Sequence, residues 1–357
     1  MTKSDGMTYA PQGKPRPVCK AGDFVFSAAA LDHGHIYGMC NGLREAGGTL
    51  KSVWDPDPKK VEAFLKTYPE AKAARSEEEV LEDKEVRMIA GAAVTSRRAA
   101  LGMRAMAAGK DYFTDKAPFT TLDQLEAARA AVKTTGKKYM VYYSERLHVE
   151  GAVYAGQLID SGAIGRVVQV IGLGPHRLNA PSRPAWFFER EHYGGILCDI
   201  GSHQIEQYLH FAGAVDATVV RSQIANYNHP DYPELEDFGE AMLVGDNGAS
   251  NYFRVDWFTP DGLGTWGDGR TVILGTEGYI EIRKYVDIAR NAGGNNVYLV
   301  DGKGEHLFEV GGQVGFPFFG QLILDCLNRT ETAMTQAHAF KAAELCLVAQ
   351  EAAVRLR

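Results

Sequence analysis

Residues 24–55 read FVFSAAALDHGHIYGMCNGLREAGGTLKSVWD. The apolar run 24–30 has the length of a buried strand, and the apolar spacing over 36–46 predicts a helix. A second strand over 50–54 ends at Asp55. Strand, loop, helix, strand and then an acid is the order of a dinucleotide-binding βαβ unit. In such a unit the pyrophosphate lies over backbone N–H groups at the helix N-terminus, and the acid takes the ribose hydroxyls. The loop candidates are Ala30, Leu31, Asp32, His33, Gly34 and His35, and the acid is Asp55. The glycine fingerprint is poor, because no frame starting at Ala28, Ala29 or Ala30 holds a glycine other than Gly34. Small alanines keep the turn tight, and the two histidines add polar donors. A carboxylate at position 55 would repel a 2′-phosphate, so NAD is expected in preference to NADP. Asp55 could equally cap the following helix. A metal reading of His33 and His35 finds no third ligand in the sequence, and no metal is expected.

The alternation continues beyond this unit. Asp55-Pro56-Asp57-Pro58 is a turn that opens a helix over 59–67, with proline tolerated in its first turn. Helices are predicted over 77–81, 97–108 and 122–134, and strands over 86–90, 111–114 and 138–143. Strand and helix in strict alternation imply a parallel sheet covered on both faces. The second half differs. A helix over 148–161, a strand over 165–174 and a helix over 200–213 precede seven strand-like runs: 217–226, 238–244, 249–257, 270–274, 279–282, 296–300 and 306–310. Helices over 318–327 and 337–356 close the chain. The expected fold is α/β: an N-terminal Rossmann dinucleotide-binding domain over 23–147, and a C-terminal α+β domain over 148–357 with a large, mostly antiparallel open sheet. Residues 1–22 are expected to form a flexible arm.

Bulk properties narrow the class. A chain of 357 residues suggests about two domains. With 45% hydrophobic and 23% charged residues, the composition is that of an ordinary globular protein. A formal charge of −7 argues against a general nucleic-acid binder. No apolar run reaches the ~20 residues that span a bilayer, so no membrane partner is expected. The N-terminal stretch is polar and lacks the apolar core of a secretory signal. Five cysteines lie far apart with no C-x-x-C, which argues against a disulfide framework or zinc site and fits a reducing cytoplasm.

Two further stretches carry chemistry. Residues 194–206 read GGILCDIGSHQIE. If the chain is helical from 199, Asp199 and His203 share a face at i and i+4, and a neutral imidazole beside a carboxylate can accept a proton near pH 7. The plain alternative is a helix cap with a half-buried histidine. Residues 105–118 read AMAAGKDYFTDKAP, a helix, a glycine cap and a strand with Lys116 at its C-terminal end, the edge where open α/β sheets gather ligands.

These two stretches together resemble the Gfo/Idh/MocA family of nicotinamide-dependent sugar and inositol dehydrogenases. The resemblance runs from Phe24 to about Val354 and includes Ile164-Gly165-Arg166-Val167 and Gly275-Thr276-Glu277-Gly278. It implies reversible hydride transfer between a nicotinamide and a hydroxyl carbon of a sugar, sugar derivative or polyol. The family's lysine falls on Lys116, its aspartate and histidine on Asp199 and His203, and its arginine after the fifth strand on Arg146. The departures are Asp115 for glutamate, Ala117 before Pro118, Thr95 and Arg98 after the third strand, and Glu206 for the final aspartate. The implied roles are His203 as base, Lys116 as the cation that stabilises the alkoxide, and Asp199 as the group that orients His203 or binds a neighbouring hydroxyl. Thr95, Arg98, Asp115 and Lys116 join the cofactor-binding candidates.

His176, Arg177, Asn179, Arg183 and Trp186 interleave donors with an aromatic ring. That mixture suits a carbohydrate as well as it suits an irregular surface loop. The substrate candidates are therefore Arg146, His176, Arg177, Trp186, Asp199 and His203. Tyr142 and Tyr143 read as packing residues, while Trp257, Trp266 and Asp268 stay undecided between a pocket and a partner. Two rival readings remain: a redox-neutral NAD-dependent glycosidase or lyase, and a non-catalytic NAD-binding regulator. A large sheet with one face covered implies a homodimer or homotetramer through the second domain.

Overall fold

A strand with five consecutive buried residues must be covered on both faces, and β1 (Val25–Ala29) is such a strand. The computed structural model describes residues 4–356; the first three residues of the expected arm and the last of the expected second domain lie outside the described residues. β1 pairs in parallel with β2 (Thr49–Trp54) and β4 (Met88–Gly91). Among the described residues β3 (Lys72–Ala73), β5 (Asp111–Asp115) and β6 (Tyr139–Tyr142) complete a parallel six-stranded sheet in the order β3-β2-β1-β4-β5-β6. The crossovers carry α1 (His35–Glu45), α2 (Pro58–Thr67), α3 (Glu77–Glu82), α4 (Thr95–Ala107) and α5 (Leu122–Thr135). The strand order reverses beside β1, so the C-terminal ends of β1, β2, β4 and β5 form the edge that receives ligands. The alternation read from the sequence therefore holds. The two-residue β3 is too short to show a period.

The chain divides into two compact units, one holding residues 7–142 with 316–340, the other holding 4–6, 143–315 and 341–356. The sequence reading places a single boundary near 147 and misses the return of 316–340. That return is a packing effect. α11 (Pro317–Asn328) sets Phe318 and Phe319 against Phe113 of β5, with ring centroids 6.0 and 6.3 Å away, and Phe319 against Tyr142. Phe319 also fills the space at Gly42 of α1, where a Cβ would lie 2.4 Å from its ring.

The described part of the arm expected to be loose makes hydrogen bonds and close packing contacts. Residues 7–13 run along α1. A Cβ at Gly34 would sit 2.4 Å from the Met7 carbonyl oxygen, and the Gly13 N–H donates to the Glu45 carboxylate at 2.9 Å. In the other unit, the Ser182 hydroxyl donates to Asp5 at 2.5 Å, and the Arg177 guanidinium donates to the Ser4 carbonyl at 2.6 Å.

The second unit begins with α6 (Ser144–Leu147) and α7 (Glu150–Asp160) and is built on a nine-stranded sheet. Its strands are β7 (Val167–Pro175), β8 (Ala217–Ala225), β9 (Phe238–Gly245), β10 (Ser250–Asp256), β11 (Arg270–Gly275), β12 (Gly278–Arg283), β13 (Asn296–Asp301), β14 (Gly304–Glu309) and β15 (Val354–Arg355). The order is β14-β13-β12-β11-β7-β10-β9-β8-β15, antiparallel except for β7–β10 and β8–β15. The remaining helices are α8 (Arg190–Tyr193), α9 (Ile196–Asp199), α10 (Gly201–Ala212) and α12 (Gln336–Glu351). α12 ends five residues before the predicted helix end. The Leu356 N–H instead bonds to the Ile224 carbonyl, and the chain adds an edge strand to β8.

Alternate residues of this sheet point inward, where Phe253, Val255, Ile273, Ile280, Ile282 and Val297 are buried. The outward residues line up by register. One row runs Met242, Tyr252, Ile171, Val272, Glu281, Tyr298, Leu307; the next runs Val244, Ser250, Gln169, Leu274, Tyr279, Val300, Glu305. Met242, Val244, Leu274, Tyr279 and Leu307 are exposed. Among the described residues no helix is long and apolar enough to cross a membrane.

The turn between β11 and β12 depends on missing side chains. A Cβ at Gly275 would lie 2.0 Å from the Ile164 carbonyl oxygen, a backbone atom that cannot swing aside. Gly275→Ala should lower unfolding stability by about 1–3 kcal/mol in denaturant titrations. Gly262→Ala, where no atom lies within 4 Å of the new Cβ, should leave it unchanged. Equal stability of the two variants would contradict this packing.

Candidate active-site residues

In the first unit the site grows from the end of β1. Ala30 adopts φ 60°, a left-handed turn where glycine is the usual residue. The Leu31 N–H donates to the Asp55 carboxylate at 2.6 Å, and the Asp57 N–H donates to its other oxygen at 2.8 Å. Asp55 thus ties the loop to the end of β2, while Asp57, accepting from the Lys59 N–H at 2.9 Å, caps α2. Asp32 accepts from the Val94 N–H at 3.1 Å and pairs with the Lys60 ammonium at 2.5 Å. Lys60 was absent from the sequence candidates. Its charge offsets a carboxylate standing beside the expected phosphate position.

The histidines do not simply decorate the loop. The His35 N–H donates to His33 Nδ1 at 3.2 Å, so an imidazole caps the first turn of α1 in place of an Asp or Ser side chain. Both rings reach the buried Asp115 carboxylate at the end of β5: His35 Nδ1 lies 2.9 Å from Oδ1, and His33 Nδ1 lies 3.2 Å from Oδ2. Arg98 of α4 donates to Oδ2 at 3.2 Å, to the Ala93 carbonyl at 2.8 Å, to the Ala117 carbonyl at 2.9 Å and to the Lys116 carbonyl. The Lys116 N–H donates to Asp115 Oδ1 at 2.8 Å, and the Lys116–Ala117 peptide is cis. Burial alone would raise the Asp115 pKa, but His35, Arg98 and His33 outweigh it and hold the carboxyl well below the usual range. For His33, burial first and then His35, Lys116 and Arg98 outweigh Asp115, and its pKa lies well below the usual imidazole value.

His33, His35 and Asp115 carry donor atoms all within 4.8 Å of one another, so the third ligand that the sequence did not show exists in the fold. Arg98 already occupies that carboxylate, and a divalent cation there would face a buried guanidinium. Thr95 opens α4 and is buried. These residues gather at the C-terminal ends of β1, β2, β4 and β5, the edge of an open α/β sheet where ligands bind.

In the second unit Gly194 and Gly195 have φ 88° and 92°. A Cβ at Gly195 would lie 2.3 Å from the Gln350 amide oxygen, which itself accepts the Leu197 N–H at 2.9 Å. The helix expected over 200–213 is α10, and Asp199 stands just before it rather than within it. α9 ends at Asp199 and α10 starts at Gly201. The Ser202 hydroxyl takes the Asp199 carbonyl at 2.8 Å, and the His203 N–H bonds back only three residues, to Ile200 at 3.2 Å. Asp199 is half-buried, and its charge acts on the buried Arg183.

His203 is buried in the first turn of α10. Around it lie groups the sequence reading missed. Glu145 of α6 accepts from the Lys284 ammonium at 2.7 Å and from the Gln204 amide at 3.1 Å, and His176 Nε2 lies 3.9 Å from its other oxygen. Burial would raise the Glu145 pKa, but Lys284, then His203 and His176, pull it well below the carboxylate range. His176 packs between Trp257 and Trp266, with ring centroids 5.5 and 4.4 Å away. The undecided tryptophans therefore belong to the interior around His176, and Asp268 pairs with Arg270 at 2.5 Å.

Two candidates are committed elsewhere. Arg177 donates to the carbonyls of Ser4, Pro260 and Leu263, at 2.6, 3.0 and 2.9 Å, and so staples its loop. Arg146 Nε bonds to both oxygens of Glu206 at 2.7 and 2.9 Å. Arg183 stacks over Phe187 and Trp257 at 4.8 and 5.0 Å, and Trp186 contacts the Phe187 ring at 5.9 Å. Asn179 takes a left-handed turn at φ 46° and donates to Ser182 at 3.0 Å.

Comparison with known proteins agrees with this picture. Residues 30–143 match the oxidoreductase family with an NAD-binding Rossmann fold, and residues 153–281 match the GFO/IDH/MocA C-terminal domain. D-xylose dehydrogenase of Paenarthrobacter nicotinovorans is 32% identical over 180 residues, 45% of each chain. The NAD(+) scyllo-inositol 2-dehydrogenase of Bacillus subtilis (strain 168) is 29% identical over 238 residues, 66% of each chain. The chain thus spans about half to two thirds of the length of these curated relatives. A crystal structure from Erwinia carotovora atroseptica SCRI1043, named only by the class oxidoreductase, is 52% identical with a TM-score of 0.91, covering 94% of this chain and 100% of that one.

The Asp115 network makes a stability prediction. Its pKa is depressed in the fold, so its ionised form stabilises fully above the ordinary carboxylate range, about pH 4, and that contribution fades as the pH falls further. Thermal unfolding followed from pH 5 to pH 2 should show a shallower acid decline for Asp115→Asn than for the wild type. Identical slopes would contradict the network.

Proposed function

We propose that this chain, which belongs to the Gfo/Idh/MocA oxidoreductase family, transfers a hydride between a nicotinamide cofactor and a hydroxyl carbon of a sugar or polyol. The observation that carries the proposal is Lys116 at the end of β5, its peptide fixed on both sides by Asp115 and Arg98. A lysine whose N–H and carbonyl are each held by a charged group is a poor candidate for an idle surface residue. The named relatives act on D-xylose and scyllo-inositol, which supports a polyhydroxylated substrate.

When bound, the nicotinamide supplies the hydride acceptor. The chain's own residues bind the substrate and move the proton. Lys116 holds the reacting hydroxyl and stabilises the alkoxide that develops on it. His203 accepts the hydroxyl proton, so the O–H bond breaks as an N–H bond forms on the imidazole. Asp199, beside Arg183, takes a neighbouring hydroxyl. His176 and the tryptophans around it offer a polar edge and apolar faces, the pair of surfaces a sugar ring presents. At the cofactor, Asp55 receives the ribose diol and selects NAD against a 2′-phosphate. The free state of all five cysteines suits a reducing cytoplasm.

The two outward rows of the nine-stranded sheet support self-association. They place Met242, Val244, Leu274, Tyr279 and Leu307 in an apolar band on an otherwise uncovered face. We assign this face to a homodimer or homotetramer contact.

Two measurements follow. Lys116→Met should lower NADH formation from scyllo-inositol, D-xylose or a wider polyol panel by about 100-fold or more, with NAD binding retained by calorimetry. Turnover near the wild-type rate would reject the assignment, and a wild type that binds NAD yet forms no net NADH on any polyol would reject the dehydrogenase reading. Met242→Glu combined with Leu274→Glu should convert an oligomer to a monomer in light scattering. A wild-type monomer would contradict the sheet contact.

A further inference from the structure

The N-terminal edge of the parallel sheet, opposite the edge that carries Lys116, holds a cleft of about 690 Å³. Asp111 opens β5 and Asp115 closes it, so roughly 13 Å of strand separates the two edges. The cleft lies wholly within the first unit. Its walls come from the residues before β4, the turn between α4 and β5, the approach to β6 and the end of α11. Gly109 in the α4–β5 turn takes φ 80°, and a Cβ there would meet no atom within 4 Å, so that end of the cleft is open. The volume falls in the range of pockets that hold small ligands.

Cations dominate the lining. Against Lys84, Arg87, Lys110, Lys137 and Arg329 it sets only Glu85 and Asp111. Both carboxylates are already matched. Asp111 pairs with the Arg329 guanidinium at 2.7 Å, and Arg329 is itself fixed by donating to the Gly136 carbonyl at 2.6 Å. Glu85 pairs at 2.6 Å with Lys51, which stands outside the lining. The other four cations have no carboxylate of their own. Lys110 is buried and donates one N–H to the Asp83 carbonyl at 2.5 Å. Lys84, Arg87 and Lys137 make no ion pair among the described residues. Cations gathered in a concavity repel one another, and this chain gathers them while its formal charge is −7. Burial lowers the Lys110 pKa; Asp83 pulls the other way, and Lys137 and Lys51 lower it further. A multiply charged anion set among these groups would relieve that repulsion.

We infer that this cleft is a second binding site, for a small soluble anion carrying phosphate groups, held by Arg87, Lys84, Lys137 and the buried Lys110. A guanidinium supplies a planar fork and the ammoniums supply point charges, the combination that suits phosphate oxygens. The cations line one cleft rather than an extended basic face, which fits a compact ligand better than a nucleic-acid strand. No bond is made or broken there. The site lies at the edge away from Lys116, so the inference goes beyond the dehydrogenase reading and does not rest on it.

Inorganic pyrophosphate is the probe. Titrated by calorimetry into the full chain, with excess NAD present to occupy the cofactor edge, it should bind at one equivalent. Lys84→Ser/Arg87→Ser/Lys137→Ser should weaken that binding about tenfold or more. Because these side chains carry no ion pair, the variant keeps the fold. Lys66→Ser/Arg166→Ser/Lys303→Ser removes the same charge from exposed positions elsewhere and should bind pyrophosphate as the wild type does. The comparison of the two triple variants reports on the cleft whether or not NAD binds. A wild type that does not bind pyrophosphate, a first variant that binds it unchanged, or equal weakening in both variants overturns the inference. A wild type that ignores pyrophosphate yet sediments with phosphatidic acid vesicles overturns it in favour of a lipid headgroup.

Discussion

The first unit is organised around one carboxylate with no exposed surface. Asp115 lies at the end of β5, yet it is gripped from three directions: by two imidazoles of the loop after β1, by the guanidinium of α4, and by the N–H of its own next residue. In a medium of low polarity an isolated carboxylate would be driven to its neutral form, and the loop, helix and strand would lose the charge that joins them. With its partners in place the carboxylate is ionised, and it fixes where the loop after β1 stands relative to Lys116. The glycine-poor loop is intelligible on this account. Where glycines would let the backbone fold tightly over a phosphate, this chain takes a left-handed alanine and holds the turn with side chains.

The second unit solves a similar problem with the signs shared differently. Glu145 is a buried anion whose main partner is Lys284, and His176 Nε2 lies 3.9 Å from its remaining oxygen. Asp115 stands beside His33 and His35, and Glu145 beside His176, so each buried carboxylate faces an imidazole. The open sheet supplies the platform. Its inner face carries the helices that hold His203 and Glu145, while its outer face exposes Met242, Val244, Leu274, Tyr279 and Leu307.

Much of this was legible in the sequence because burial leaves a periodic trace. Strands covered on both faces appear as apolar runs, such as Val25–Ala29, and half-covered strands appear as alternation, so both sheets could be read before any coordinates. Lys116, Asp199 and His203 stand out in the sequence because their motifs are local, with glycines at fixed offsets. The rest depends on residues far apart in the chain. Glu145 and Lys284 are 139 positions apart, and nothing near either one announces a partner. Lys60 looks like any helix-surface lysine until Asp32 is placed beside it. The break between α9 and α10 is equally hidden, because Ile200 keeps helical angles and the interruption comes from a serine hydroxyl taking the Asp199 carbonyl. The return of Phe318 and Phe319 to the first unit is a matter of shape, settled by the missing side chain at Gly42. The Arg177 guanidinium, whose neighbours in sequence suit a sugar, donates to backbone carbonyls, and the Arg146 guanidinium, a candidate through the family resemblance, pairs with Glu206.

The central claim is that a carbon-bound hydrogen leaves a sugar or polyol as hydride and arrives on the nicotinamide. Incubating the enzyme with NAD and scyllo-inositol deuterated at its ring carbons, then examining the isolated cofactor by NMR, tests this directly. Deuterium at C4 of the reduced nicotinamide, on one face only, is the predicted result. A reduced cofactor carrying solvent hydrogen at C4, or a cofactor that carries no label while an active substrate is consumed, would contradict it.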